Sequence, residues 1–200
     1  MIVIIDYDVG NLQSLQQGFS RANMETIISN DSDIIQQADV LILPGVGAFP
    51  DAMKDLKQTG LIPIIDQHVA NGKLLVGICL GMQLLFEASE EFTYTEGLGY
   101  IDGTVKALNI PYKVPHMGWN DLTVIKEDPI TCTISNGDYV YFIHSYYVNT
   151  SLENVIAYTN YGVDIPAIVR KKNIIGMQFH PEKSGRVGLR LLQAIKEMIR

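Results

Sequence analysis

Four strand-like runs in the first half of the chain constrain its fold more than any other feature. They are Ile2–Asp6, Thr26–Ser29, Val40–Leu43 and Leu74–Ile78. Their apolar character is continuous rather than alternating, as expected of strands that are buried on both faces. Helical segments separate them, predicted over Leu12–Asn23, from Asp31 or Ser32 to Gln37, and from Asp51 to Asn71 with a break near Gly60 and Pro63. This alternation predicts a parallel sheet with helices on both faces.

The second half of the chain changes rhythm. It contains short predicted strands at Gly99–Leu108, Leu122–Ile125, Tyr139–Ile143, Tyr146–Val148, Val155–Tyr158, Ala167–Arg170 and Ile174–Gln178. Asn136-Gly137 is a strong turn signal, and an amphipathic helix is predicted from Gly185 to Arg200. Two hundred residues without a linker or repeat fit one domain. We therefore expect a single α/β domain over residues 1–200, with a mostly parallel or mixed central sheet and an antiparallel extension.

Composition excludes several classes of function. The net charge of −7 disfavours a nucleic-acid partner. No apolar run approaches the ~20 residues that span a membrane, and the start of the chain lacks the features of a signal peptide, so the cytoplasm is the expected compartment. Two cysteines argue against a disulfide framework. The His, Cys, Asp and Glu residues show no metal-ligand spacing, so we expect no metal.

The segment Gly77-Ile78-Cys79-Leu80-Gly81 has the pattern of a thiol nucleophile elbow, because a predicted strand runs directly into the cysteine. Small residues on either side leave room for a sharp backbone turn. The turn places Cys79 at a helix N-terminus, which favours a thiolate. The alternative is a buried structural cysteine beside chance glycines. Cys132 lacks this setting and is interpreted as a small strand or loop residue.

His180 is the best candidate for the general base that a thiol nucleophile needs. It lies in Phe179-His180-Pro181-Glu182, after the last predicted strand. Residues two apart in extended chain point to the same side, so Glu182 can orient the imidazole. The alternative is a surface histidine and glutamate. His68 lies on a polar helical stretch and is expected to be solvated.

A second amide for an oxyanion hole could come from Pro44-Gly45-Val46-Gly47, which follows the third predicted strand. That strand should neighbour the one ending at Cys79, and the two glycines allow the loop to turn an amide outward. The alternative is an ordinary strand-to-helix turn. A phosphate loop is disfavoured because no Lys-Ser/Thr follows the glycines.

Together, the Pro44–Phe49, Gly77–Gln83 and His180–Glu182 segments resemble the class I, triad-type glutamine amidotransferases, in the family's order and approximate spacing. The resemblance covers nearly the whole chain and implies a flavodoxin-like α/β fold with no cofactor. It implies a catalytic triad of Cys79, His180 and Glu182. It also implies an oxyanion hole from Gly45, Val46, Gly47 and Leu80, and glutamine-binding positions at Gln83, Glu91, Ser145 and Tyr146.

Finer features resemble the glutaminase subunits of imidazole glycerol phosphate synthases. The most specific is Pro115-His116-Met117-Gly118-Trp119-Asn120. This likeness implies a heterodimer with a separate (β/α)8 cyclase subunit. The residues that would face the cyclase are Gly10, Asn11, Met117, Trp119, Asn120 and Lys183. It makes His116 structural or interfacial, and His144 a structural residue lining the site.

Two alternatives stay open at this point. The chain could be the glutaminase of another synthase or a free-standing thiol hydrolase of the same superfamily. It could also be a catalytically silent α/β binding subunit that keeps the elbow for structural reasons.

Overall fold

The computed structural model describes residues 1–199. The first half holds strands and helices in alternation: β1 (Ile2–Ile5), α1 (Leu12–Arg21), β2 (Thr26–Ser29), α2 (Ser32–Gln37), β3 (Val40–Leu43), α3 (Phe49–Gln58), α4 (Ile62–Ala70), β4 (Leu74–Ile78) and α5 (Leu80–Leu84). The second half is mostly short strands: β5 (Phe86–Ser89), β6 (Thr95–Glu96), β7 (Ile101–Ala107), β8 (His116–Asp121), β9 (Thr123–Val124), β10 (Tyr139–His144), β11 (Tyr146–Asn149), β12 (Val155–Asn160), β13 (Asp164–Lys171), β14 (Ile174–Met177) and the helix α6 (Gly185–Glu197).

Eight strands form the central sheet, in the order β2-β1-β3-β4-β14-β13-β12-β9. The first five are parallel, and β13, β12 and β9 continue the sheet in antiparallel pairings. This confirms the expected α/β class with a mixed sheet. Smaller sheets in the order β10-β8 and β11-β7-β5-β6 complete the second half. The C-terminal ends of β3, β4 and β14 therefore meet at one edge, where an open α/β sheet binds ligands.

Alternation along β1 shows how the sheet separates two cores. Ile4 faces the core that contains Phe19 of α1 and Leu191 of α6. The next residue, Ile5, faces the other core, with Leu56 of α3 and helices α2 and α4 beside it. All five of these residues are essentially inaccessible to solvent. Because successive strand residues point to opposite faces, a continuous apolar run is needed when helices cover both.

Several predicted boundaries differ from the structure. The helix predicted from Asp51 begins two residues earlier, at Phe49, because Pro50 fits the first turn of a helix, where its missing N–H costs nothing. Pro63 occupies the first turn of α4 in the same way. The strand at Ile2 ends at Ile5, and α1 ends at Arg21 rather than at Asn23. The closing helix ends at Glu197, and the predicted end at Arg200 lies outside the described residues.

Three strands were not predicted, whereas one predicted turn is present. Strands β5, β6 and β8 lie in segments for which the sequence indicated no strand. The turn at Asn136-Gly137 is confirmed, with Gly137 at φ 87°. The predicted strand Leu122–Ile125 shortens to β9.

Candidate active site

Cys79 occupies a strained turn between β4 and α5. Its backbone has φ 56° and ψ −115°, and its N–H donates to the Met177 carbonyl of β14 at 2.8 Å. A Cβ on Gly77 would lie 2.6 Å from the Gly81 carbonyl oxygen, and a Cβ on Gly81 would lie 1.9 Å from the Leu43 carbonyl oxygen. The two glycines are therefore required by close backbone approach, as the elbow pattern predicts.

His180 and Glu182 form a buried pair beside the cysteine. The Nδ1 of His180 lies 2.9 Å from Glu182 Oε1, and the two side chains are 6% and 4% exposed. Burial lowers the pKa of His180, but hydrogen bonds to Cys79 and Glu182 and the charges of both outweigh it and raise the pKa to about 10. The imidazole is therefore protonated at neutral pH.

Ser184 fixes the backbone of His180, and sequence reasoning missed it. Its hydroxyl donates to the His180 carbonyl at 2.6 Å and accepts from the Tyr141 N–H of β10 at 3.0 Å. The His180 N–H in turn donates to the Tyr141 carbonyl at 3.0 Å. A serine four residues after the histidine gave no signal by itself, because its partner strand lies about 40 residues upstream.

A cavity of about 380 Å³ lies over Cys79 and His180. The predicted site residues that line it come from five separate segments: Val46, Gly47, Leu80, Gln83, Glu91, Ser145, Tyr146 and Lys183. The structure thus brings the predicted nucleophile, base, oxyanion loop and glutamine-binding positions to one place. Gly45, at the start of the loop, packs against the elbow, because an added Cβ would be 2.7 Å from the Gly81 N.

The loop after β3 has one fixed part and one open part. The Tyr7 hydroxyl is buried and donates to the Pro44 carbonyl at 2.5 Å, which holds the first peptide of the loop. Burial, with Cys79 nearby, raises the pKa of Tyr7 well above its usual range, so it remains a donor. By contrast, Gly47 has φ 93° and open space around it, and Val46 is 44% exposed. Sequence reasoning missed Tyr7.

Two polar side chains in the cavity are held by the protein. The Gln83 amide donates from Nε2 to the Tyr146 carbonyl and to Gln178 Oε1, each at 3.0 Å. Glu91 Oε2 accepts from the Phe49 N–H at 2.8 Å. Burial raises the pKa of Glu91 despite that hydrogen bond. Fixed amide and carboxylate groups of this kind can recognise the polar ends of an amino-acid ligand.

A second pair of histidines lies beside the cavity. His144 Nδ1 lies 2.8 Å from the Tyr146 carbonyl and must donate to it, so Nε2 accepts from His116 Nδ1 at 3.0 Å. Burial lowers the pKa of His144 to about 3, so it is neutral. His116 is buried and stacks on Tyr161, with ring centroids 4.0 Å apart. These contacts fit the structural roles expected of both histidines.

The predicted partner-facing residues lie around this edge of the sheet. Met117 and Trp119 on β8 are 57% and 52% exposed. Gly10 and Asn11 are exposed, Asn11 caps α1 by accepting from the Ser14 N–H, and an added Cβ on Gly10 would be 3.6 Å from Pro44. The two remaining residues are Asn120, which is half-buried and donates to the Asn160 carbonyl, and Lys183, which is exposed and lines the cavity.

His68 corrects one expectation. It is buried, not solvated, and its Nε2 lies 3.0 Å from the Leu74 carbonyl oxygen. His68 lies on the buried side of α4, together with Ile65, and contacts β4. The polar neighbours Asp66 and Gln67 made this side of the helix look solvated in the sequence. Cys132 is an exposed loop residue. Within residues 1–199, no group of three His, Cys, Asp or Glu side chains could hold a metal ion, and no helix is long and apolar enough to cross a membrane.

Comparison with known proteins gives the family. The family model of class-I glutamine amidotransferases matches residues 3–194. The chain is 53% identical over 199 residues to the imidazole glycerol phosphate synthase subunit HisH of Lactococcus lactis subsp. lactis, covering 99% of this chain and 98% of the relative. It is 48% identical over 200 residues to the HisH subunit of Listeria monocytogenes serovar 1/2a, covering 99% and 96%.

Solved structures agree on the fold. A crystal structure of a glutamine amidotransferase matches with a TM-score of 0.78 at 21% identity, over 100% of this chain and 99% of that one. The structure of PurLQS from Thermotoga maritima matches with a TM-score of 0.79 at 19% identity, over 100% and 98%. The chain therefore belongs to the class I glutamine amidotransferases and, within them, to the HisH family of imidazole glycerol phosphate synthase subunits.

Proposed function

We propose that this chain is the glutaminase subunit of an imidazole glycerol phosphate synthase, in which Cys79, His180 and Glu182 hydrolyse glutamine. The observation that carries the proposal is the cysteine in a strained elbow, in the same cavity as a buried, charged histidine that a carboxylate orients. These are the parts that a thiol nucleophile needs for acyl transfer.

In the first half-reaction, the Cys79 thiolate attacks the side-chain amide carbon of glutamine. The oxyanion that forms accepts hydrogen bonds from the Leu80 N–H and from an amide of the Gly45–Gly47 loop. The His180 imidazolium gives its proton to the amide nitrogen, the C–N bond breaks and ammonia leaves. The product on the protein is a thioester between Cys79 and the glutamyl group.

In the second half-reaction, neutral His180 takes a proton from water as the oxygen attacks the thioester carbon. The C–S bond breaks, glutamate is released, and the thiolate–imidazolium pair is restored. Glu182 holds the imidazole in the tautomer and orientation that both steps require. Gln83, Glu91 and the backbone at Ser145 and Tyr146 hold the glutamine head group.

The ammonia passes to a (β/α)8 cyclase subunit, which adds it to a ribulosyl-phosphate aminoimidazole carboxamide. The products are imidazole glycerol phosphate and an aminoimidazole carboxamide ribotide, in histidine biosynthesis. Passage through the interface keeps ammonia unprotonated and nucleophilic. The exposed Met117 and Trp119, with Gly10, Asn11, Asn120 and Lys183, form the surface we assign to this partner, because large exposed aromatic and apolar groups are typical interface anchors.

The open half of the oxyanion loop supports control by the partner. A Cβ added to Gly47 would meet no atom within 4 Å, and Val46 is 44% exposed, so few contacts hold this part of the loop. We propose that Cys79 is well placed at rest but poorly productive until the cyclase selects the loop state that completes the hole. The cytoplasm is the proposed compartment.

Replacing Cys79 tests the function directly. In the purified complex with the cyclase, Cys79→Ala should abolish glutamine-dependent product formation while ammonia-dependent formation continues. Labelling with a glutamine-analogue electrophile should modify Cys79 in the wild-type complex. Glutamine-dependent turnover by Cys79→Ala, or a complex that neither labels nor hydrolyses glutamine, would contradict the proposal.

A further inference from the structure

Helix α1 lies directly against the turn that carries Glu182. A Cβ added to Gly18 would meet Glu182 Cβ at 2.6 Å and Glu182 Cα at 3.1 Å. Real Cβ atoms essentially never come that close, so any side chain larger than hydrogen must displace the helix or the turn. Gly18 is buried in the middle of the helix, where alanine would otherwise be the more favourable residue.

The same helix holds this turn by a hydrogen bond. Arg21 Nη2 donates to the Glu182 carbonyl oxygen at 2.8 Å. Residues three apart share a helix face, so Gly18 and Arg21 reach the same turn side by side. Gly18 allows α1 to approach the Glu182 turn this closely, and the hydrogen bond from Arg21 holds the Glu182 backbone at that distance from the helix.

A second glycine brings helix α6 close to the same turn. A Cβ on Gly188 of α6 would lie 1.9 Å from the Pro181 carbonyl oxygen. The turn Pro181–Lys183 is thus packed against two helices at van der Waals distance. A displacement of the turn would therefore also disturb its contact with α6.

The carboxylate of Glu182 depends on this backbone placement. Its Oε1 is bound to His180, whereas Oε2 is buried and has no hydrogen-bond partner among residues 1–199. A second side-chain donor that could restore its direction is therefore missing from the described part of the chain. A shift of the turn passes straight to the distance between Oε1 and the imidazole.

We infer that Gly18 and Arg21 are positioning residues of glutamine hydrolysis: they fix the Glu182 backbone so that its carboxylate meets His180. This rests on the proposed role of the triad. The alternative is that α1 is packing only, so that changes at its contact with the turn alter stability without altering the imidazole.

The test uses the complex with the cyclase. Gly18→Ala should lower kcat for glutamine hydrolysis about 10- to 100-fold, as expected when a catalytic group is misplaced by about an ångström, with a smaller change in KM. The matched control is Gln17→Ala, an exposed neighbour on α1, which should retain wild-type kcat. Arg21→Met removes the donor and should lower kcat severalfold, whereas Arg21→Lys keeps a donor and should restore most of it.

A spectroscopic readout separates positioning from stability. Histidine-selective ¹⁵N labelling reports the titration of His180, which should move to lower pH in Gly18→Ala and Arg21→Met but not in Gln17→Ala. If both variants keep wild-type kcat and His180 titration, the inference is wrong. If Gly18→Ala fails to fold, the comparison of Arg21→Met with Arg21→Lys tests the inference instead. Failure of the proposed function looks different: the wild-type complex itself would release no glutamate.

Discussion

Glu182 Oε1 and His180 Nδ1 are 2.9 Å apart in a site that excludes solvent from both side chains. The carboxylate and Cys79 together hold the pKa of His180 at about 10, against the lowering effect of burial. A group with a raised pKa stabilises the fold fully below its unfolded value, near 6.5, and loses that contribution as pH rises through the folded value. The relevant window is therefore pH 6.5 to about 10.

Replacing Glu182 by glutamine should expose this dependence. We expect kcat for glutamine hydrolysis in the complex to fall about 10²- to 10⁴-fold, because an amide does not stabilise the imidazolium or impose its tautomer. The alkaline limb of the pH–kcat profile should move to lower pH. Glu90→Gln, which alters a surface carboxylate, is the control. An unmoved alkaline limb in Glu182→Gln would disprove the assignment.

The same substitution should change stability in a pH-dependent way. The deficit in the free energy of unfolding of Glu182→Gln should be largest below pH 6.5 and shrink toward pH 10, since the charge on His180 disappears over that range. Urea unfolding of the isolated subunit at several pH values measures it. A deficit in unfolding free energy that grows with pH would contradict the raised pKa of His180.

Removing the Tyr7 hydroxyl should loosen the oxyanion loop. Tyr7→Phe leaves the buried Pro44 carbonyl without its donor, at a cost of ~1–3 kcal/mol in unfolding free energy. We expect kcat to fall about tenfold, less than the ~10²–10³-fold cost of deleting an oxyanion donor outright. Steady-state kinetics and urea unfolding check both effects. Tyr139→Phe, at an exposed tyrosine, should change neither.

Alanine at Gly81 should be among the most damaging single changes. The added methyl would lie 1.9 Å from the Leu43 carbonyl oxygen, so the elbow must open. We expect a loss of ~3 kcal/mol or more, and loss of Cys79 labelling. Gly60→Ala, at φ 70° with open space, should cost only ~1–2 kcal/mol for its backbone conformation. Equal costs at the two positions would contradict the steric argument.

The histidine pair makes a separate prediction. His116→Phe can keep the stack on Tyr161 but leaves His144 Nε2 without a donor in a buried setting. The expected loss is ~1–3 kcal/mol in unfolding free energy. His116→Asn offers an amide donor and should lose less. If phenylalanine were no worse than asparagine, the hydrogen bond between the two rings would carry no stability.

The parallel half of the fold was predictable because its strands are unbroken apolar runs in the sequence. Val40–Leu43 and Leu74–Ile78 are buried on both faces, so their apolar runs are unbroken and their bounds match the structure. Strand β8 was not predictable, because only His116 is buried, exposed residues alternate with half-buried ones along the rest, and Gly118 lies at φ 142°. Strand β5 was hidden because Phe86 continues an apolar run that begins in α5.

The candidate site divides in the same way. That Cys79, His180 and Glu182 would lie together was predictable, because each stands in a short segment whose residue types and spacing indicate its proposed role. Tyr7 and Ser184 were not, because each acts on a residue that only the folded sheet brings near. A tyrosine, a serine or a helical glycine has no pattern that marks such a long-range contact.

The position of β14 between β4 and β13 has a consequence for synthesis of the protein. The ribosome makes the cysteine elbow early, yet the strand that donates the Met177 carbonyl to Cys79 emerges about 100 residues later, together with His180. Until then β4 presents an unpaired edge in the middle of the future sheet, a hazard that favours chaperone binding or aggregation of the nascent chain. Under the proposed triad, the late arrival of β14 and His180 also means that a partly synthesised chain has the thiol without its base and cannot yet release ammonia.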